Sequence, residues 1–235
     1  MKSTAIILSA GQGKRMNCPT AKQYLELKGK PVLYYSLAAF QAAPEIDQMV
    51  VVANENDHIF IKNELALKHG FDKITDIIAG GSERYHSVYN GLDTQAASES
   101  DFVFIHDSAR PLIDCEIISR AAAAVLDHPA IVVGMPVKDT IKRVDSADMV
   151  CETINRETLW AVQTPQVFAA SLIKMAYERL MLKEQTEGLS GFSITDDAMA
   201  VEIFTEIKVK LIHGFDHNIK ITTPGDLQAA ASFMI

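Results

Sequence analysis

The chain is short of several things, and each scarcity closes off a class of protein. Cysteine is scarce: Cys18, Cys115 and Cys151 are the only three in 235 residues, far apart and without metal-type spacing. That excludes a disulfide framework and a zinc ribbon, and leaves reduced thiols with packing roles as the expectation. Long apolar runs are missing; no stretch approaches the roughly 18–20 residues of a membrane-spanning helix. The apolar run in the N-terminal STAIILSAG covers about five residues, against the roughly 7–15 of a signal-peptide core, so a cytoplasmic protein with no membrane partner is expected. Positive charge is also short, with 22 Lys and Arg against 30 Asp and Glu and a net charge of −8. A sequence-independent nucleic-acid binder needs a basic surface, so none is expected, although a local basic pocket is not forbidden. No G-x-S-x-G occurs, which argues against a serine nucleophile elbow; of the seven histidines only His213 and His217 stand at HxxxH spacing, and packing or exposure is the expectation for each. Neither an internal repeat nor a linker divides the chain, so residues 1–235 are expected to form a single domain.

What is present is alternation. With 48% apolar and 22% charged residues, the chain can bury a sizeable core. Continuous apolar runs predict strands at TAIILSA (4–10), QMVVVAN (48–54), KITDIIAGG (73–81), DFVFIHD (101–107) and AIVVGMPV (130–137). Helical spacing predicts helices over 31–43, 57–70, 114–128 and 169–183 and one beginning at SERYHSVYNGL (82–92). Strands buried on both faces and separated by helices imply an α/β fold: a Rossmann-like, mainly parallel twisted sheet with helices on both faces. Ligands sit at the carboxyl ends of such strands, where Gly11, Gly13, Gly80, Gly81, Asp107 and Arg110 fall.

After Val137 the pattern changes. KDTIKRVDSADMVCETINRETLWAVQTPQVF alternates polar residues with β-formers around the turn DSAD. It reads as a hairpin too polar on both faces for a core, and predicts a projecting β-hairpin arm at about 138–158. KVKLIHG and NIKI read as short late strands, and TPGDLQAAASFM as a closing helix with Thr223 at N-cap, Pro224 at N1 and Asp226 at N3.

The chemistry starts at LSAGQGKRM (8–16). A glycine loop between strand and helix offers backbone N–H groups to phosphate. Two familiar versions fail here: Gly13-Lys14 is followed by Arg15 rather than Ser or Thr, and Gly11 and Gly13 are followed by Met16 rather than a third glycine. The loop instead adds cations directly, Lys14 and Arg15, with Lys22 following in AKQYLELKGKP.

SAGQGKRM, KQYLELKGKPVL, GGSERYHSV, HDSARP, VKDTIK, NRETLWAVQTPQVF, TDDA and NIKITTPGDL run in order across nearly the whole chain. Together they resemble the 2-C-methyl-D-erythritol 4-phosphate cytidylyltransferases of the non-mevalonate isoprenoid pathway. The resemblance implies that CTP and methylerythritol phosphate give 4-diphosphocytidyl-2-C-methyl-D-erythritol and pyrophosphate. It implies a catalytic set of Arg15, Lys22, Arg156 and Lys220, the last two positioning the acceptor phosphate with Thr140 and Thr164 nearby. It places the nucleotide around Ala10, Gly11, Gly13, Lys14, Gly80, Gly81, Ser87, Asp107 and Arg110. A divalent cation such as Mg²⁺ is expected, with Asp107 and Asp216 as candidate ligands. Pairing of two subunits through the arm implies a homodimer. Ser82 departs from the pattern, since relatives often carry an acidic residue there. Asp196-Asp197 reads as a helix start, with a supporting role left open. A ribitol 5-phosphate cytidylyltransferase remains the alternative; a glycosyltransferase is disfavoured because Asp107-Ser108-Ala109 is not D-x-D. A non-catalytic nucleotide-binding module is disfavoured too, since it would have no need of an acceptor clamp.

Overall fold

The computed structural model describes residues 1–11, 20–189 and 193–234. The chain opens on β1 (Ser3–Ser9), passes a 3₁₀ turn (Lys22–Tyr24) and the small hairpin of β2 (Glu26–Leu27) and β3 (Lys30–Pro31), and enters α1 (Val32–Ala42). There follow β4 (Gln48–Ala53), α2 (His58–Phe60) running on as a π-helix over Ile61–Leu67, β5 (Ile74–Ala79), α3 (Arg84–Leu92), α4 (Gln95–Ser98) and β6 (Phe102–Asp107). The second half holds α5 (Cys115–Asp127), β7 (Ala130–Pro136), β8 (Ile141–Val144), β9 (Val150–Ile154), β10 (Trp160–Ala169), α6 (Ala170–Glu187), α7 (Asp197–Phe204), β11 (Lys210–His213) and α8 (Pro224–Phe233).

Seven strands form one sheet in the order β11-β7-β10-β6-β1-β4-β5. β1 pairs in parallel with both β4 and β6, and β10 alone runs antiparallel to its neighbours β6 and β7. From β1 the chain winds outward through β4 to β5, then returns to lay β6 on the other side of β1. That reversal opens a crevice at the carboxyl end of β1, the usual ligand position in such sheets.

The apolar runs read as strands because both faces are covered. Ala5 and Ile7 join Leu37, Phe40, Phe104 and Ile117 under α1 and α5, while Ile6 joins Val52, Val88, Val103 and Tyr177 under α3 and α6. A third small cluster of Leu27, Val32, Ile221 and Ala230 seats α8 against the β2–β3 hairpin. Asp114 caps α5 through the Ile117 N–H at 2.9 Å, and Thr223 and Asp226 form the expected capping box of α8, with Pro224 at its first position.

Three expectations are corrected. WAVQTPQVFA is a central strand and not part of the arm. Pro165 disguises it, because proline cannot join a ladder; here it sits in the break where pairing with β7 stops at Val162 and resumes at Gln166. NIKI (218–221) forms no strand; it is an extended segment fixed by other bonds, described below. Cys115 and Cys151 are exposed free thiols rather than packing residues, and Cys18 lies outside the described residues. The arm is present: β8 and β9 pair only with each other, and residues 138–153 are all exposed. Among the described residues no helix is long and apolar enough to cross a membrane.

Candidate active site

A cleft of about 640 Å³ opens at the carboxyl ends of β1, β4, β5 and β6. Its walls are Ala10 and Gly11 after β1, Asn54 and Glu55 after β4, Gly80 to Arg84 and Ser87 after β5, and Asp107 to Ala109 after β6; Lys22 and Lys220 complete it. The glycines belong to its shape. A Cβ on Gly80 would overlap the Cβ of Ala10, and one on Gly81 would overlap the Cβ of His86, so only bare backbone lets the β5–α3 loop lie this close to β1. Ser87 Oγ accepts the Gly81 N–H at 3.0 Å and fixes the loop.

The floor is an alternating chain of charges. Lys220 Nζ donates to Asp107 Oδ2 at 2.6 Å, and Arg84 Nε donates to Asp107 Oδ1 at 3.2 Å. Arg84 then grips Asp197 with both terminal nitrogens at 2.8 Å, and Tyr177 donates its hydroxyl to Asp197 at 2.6 Å. Such forked contacts fix both distance and plane. Burial would raise the Asp107 carboxyl, but Arg84 and Lys220 hold it well below the usual carboxylate range. Burial would likewise depress the Arg84 guanidinium, yet Asp197 and Asp107 keep it well above its ordinary value. Asp107 is steadied from below as well: Thr164 Oγ1 accepts its N–H at 3.2 Å and pairs with His106 Nδ1 at 3.0 Å. Burial pushes His106 down to about 3, so it stays neutral near pH 7.

Lys220 owes its place to the segment that is not a strand. Asn218, fully buried, donates to the Thr164 carbonyl at 3.0 Å and to Gln163 Oε1 at 3.2 Å. Arg110 donates to the Asn218 carbonyl at 2.8 Å, and the Ile221 N–H bonds the Ala109 carbonyl at 2.8 Å. Lys22 Nζ donates to the Ile221 carbonyl at 3.0 Å, which brings both lysines to one side of the cleft.

Residues 3–235 match the family described as IspD, 2-C-methyl-D-erythritol 4-phosphate cytidylyltransferase. The chain belongs to this family. A member from Lachnospira eligens is 45% identical over 232 residues, covering 99% of each chain. One from Lachnoclostridium phytofermentans is 43% identical, covering 99% of this chain and 96% of its own. The crystal structure of 4-diphosphocytidyl-2C-methyl-D-erythritol synthase from Anaerococcus prevotii superposes with a TM-score of 0.85 at 32% identity, over 99% of this chain and 96% of that one. The family, the α/β fold class and the cytidylyltransferase activity read from the motifs therefore stand.

Of the residues singled out on the family pattern, Ala10, Gly11, Lys22, Gly80, Gly81, Ser87, Asp107 and Lys220 share the cleft. Gly13, Lys14 and Arg15 lie outside the described residues. Arg110 and Thr164 are not in the lining; their side chains are bonded to the Asn218 and Val162 carbonyls and to His106 and Asp107, and so hold the lining in place. Thr140 and Arg156 are exposed at the arm, where Arg156 donates to the Lys138 carbonyl at 2.6 Å. Asp216 is joined to Lys138 at the surface and is not brought to Asp107. The motif reading gives no role to Arg84, and it reads the partner Asp197 as a helix start, which it is, with only a supporting role left open. The signal was a cation in the first turn of a helix, where the macrodipole disfavours it unless carboxylates compensate.

Proposed function

We propose that this cleft transfers the cytidylyl group of CTP to 2-C-methyl-D-erythritol 4-phosphate, giving 4-diphosphocytidyl-2-C-methyl-D-erythritol and pyrophosphate. The observation that carries it is the family match over residues 3–235. A phosphate oxygen of the acceptor forms a bond to the α-phosphorus of CTP as the bond to the β-phosphate oxygen breaks. The acceptor phosphate is already largely ionised near neutral pH, so little proton transfer is needed. Catalysis then rests on alignment and on fixed positive charge where negative charge builds up.

Lys22 and Lys220 meet that need, each anchored by an oxygen that costs it no freedom during the reaction. Arg15 adds a forked contact, and Lys14 and the Gly11–Gly13 backbone hold the tail of the triphosphate. Ala10, Gly11, Gly80, Gly81 and Ser87 line the cleft, and residues this small permit the close backbone approach that reading a pyrimidine needs. Mg²⁺ binds through one or two carboxylates plus substrate phosphates, and Asp107, kept ionised at the cleft floor, fits that role and would hold the ion. When bound, the ion supplies charge neutralisation between two anionic substrates.

The arm makes the active unit a dimer. Ile141, Val144, Met149 and Val150 are 37–66% exposed on a two-stranded hairpin with no sheet behind it, a surface that a second copy would cover. Thr140 and Arg156 would then reach the acceptor phosphate in the partner's cleft. We place the protein in the cytoplasm, where CTP is at hand.

Pyrophosphate release tests the reaction. Release is expected with CTP plus methylerythritol phosphate and not with UTP, ATP or ribitol 5-phosphate; release only with ribitol 5-phosphate would overturn the acceptor assignment. Sedimentation at assay concentration is expected to show a dimer, and a fully active monomer would contradict the role of the arm.

A further inference from the structure

We propose that Gln23 is a positioning residue of the transfer: its side-chain amide ties the turn that carries Lys22 to the end of β1, and so sets where the Lys22 ammonium stands in the cleft. The inference rests on the cytidylyl-transfer reading and adds a residue to the machinery of that same site.

Lys22–Tyr24 is one 3₁₀ turn. Such a turn has three residues per revolution, so three successive side chains leave it in three directions. Each meets a different part of the molecule. Lys22 lines the cleft, and its Nζ donates to the Ile221 carbonyl at 3.0 Å. Gln23 turns inward: it is 3% exposed, and its Nε2 donates to the Ser9 carbonyl at 2.7 Å. Tyr24 meets Phe60 of α2 edge to face, with ring centroids 5.5 Å apart. The amide nitrogen must be the atom on Ser9, because the amide oxygen there would face another oxygen with no proton between them.

Ser9 is the last residue of β1, a buried strand paired on both sides, and it stands opposite Ala53 of β4. The Gln23 bond therefore fastens the turn to the part of the sheet from which the cleft opens. It spans 14 positions of sequence and joins the chain on either side of residues 10–21. The ring contact of Tyr24 cannot do this alone, since stacked and edge-on rings tolerate a range of separations while a hydrogen bond has a narrow length and direction. Lysine carries its charge on a flexible four-carbon stem. With Gln23 holding the base of that stem and Ile221 its tip, the ammonium has one place to be. Gln23 touches no substrate; it acts through Lys22.

The test is pyrophosphate release from CTP and methylerythritol phosphate by the full-length chain, with kcat and KM measured separately and alone and together with Lys22→Ala. Gln23→Met keeps the length of the side chain but cannot donate. It is expected to lower kcat about 10–100-fold, the scale of displacing a reacting group by about 1 Å, with the KM for CTP little changed, because the charge Lys22 meets grows during the reaction. In the Lys22→Ala background the same substitution should cost nothing further, since the group it positions is gone. A residue that only held the fold together would lower the melting temperature and reduce kcat by the same factor in both backgrounds. Gln23→Asn keeps the amide on a stem one methylene shorter and should cost kcat in the same Lys22-dependent way; it decides the matter if Gln23→Met fails to fold. An unchanged kcat, or an equal loss with and without Lys22, would overturn the inference while leaving the reaction intact. A wild-type chain that releases no pyrophosphate from CTP would overturn the reaction and this inference together.

Discussion

Replacing Asp197 by alanine is expected to lower the melting temperature by on the order of 10 °C. Asp197 is fully buried, and it accepts from both terminal nitrogens of Arg84 and from the Tyr177 hydroxyl. Alanine would leave a largely enclosed guanidinium with only Asp107 as counter-charge, and a buried phenol with no acceptor. Breaking a buried ion pair by removing one partner costs about 3–5 kcal/mol, and a chain of this size loses roughly 2–4 °C per kcal/mol. Activity should fall as well, because an unanchored Arg84 competes with Lys220 for Asp107. Asparagine, which keeps shape and hydrogen bonding but not charge, should fall between alanine and wild type. Differential scanning calorimetry checks this; a shift below about 2 °C for alanine, under 1 kcal/mol, would show that the pair adds little to stability.

Lys22→Ala is expected to lower kcat by on the order of 10²–10³, the usual loss when a preorganised donor to developing charge is removed. Lys22 sits on the cleft wall with its ammonium held by the Ile221 carbonyl. Alanine removes the charge without disturbing the buried sheet, so far-UV circular dichroism should be unchanged. Because the charge to be stabilised grows during the reaction, kcat should drop more than the affinity for CTP. Turnover near the wild-type rate would remove Lys22 from the catalytic role.

Much of this architecture is legible in the residues. Strands covered on both faces must be apolar at every position, so Ala5, Ile6 and Ile7 announce a central strand whichever face each one serves. The closing helix declares itself through Thr223, Pro224 and Asp226 because caps are local chemistry. What escapes is what depends on distant partners. β10 looks polar because Gln163, Thr164 and Gln166 are satisfied by side chains and backbone far along the chain. NIKI looks like a strand because Ile221 is buried, yet its backbone bonds the Ala109 carbonyl outside any ladder. Arg84 and Asp197 are 113 residues apart, and nothing local to either announces the other. The cleft lysines were readable as members of a motif; the carboxylates and carbonyls that hold them in position were not.

A crystal structure of the chain with CTP bound tests the central claim most directly. The account predicts the triphosphate within hydrogen-bond distance of Lys22 Nζ, and the base against Gly80, Gly81 and Ser87. A nucleotide seated in the cleft with Lys22 and Lys220 both turned away from its phosphates would contradict it.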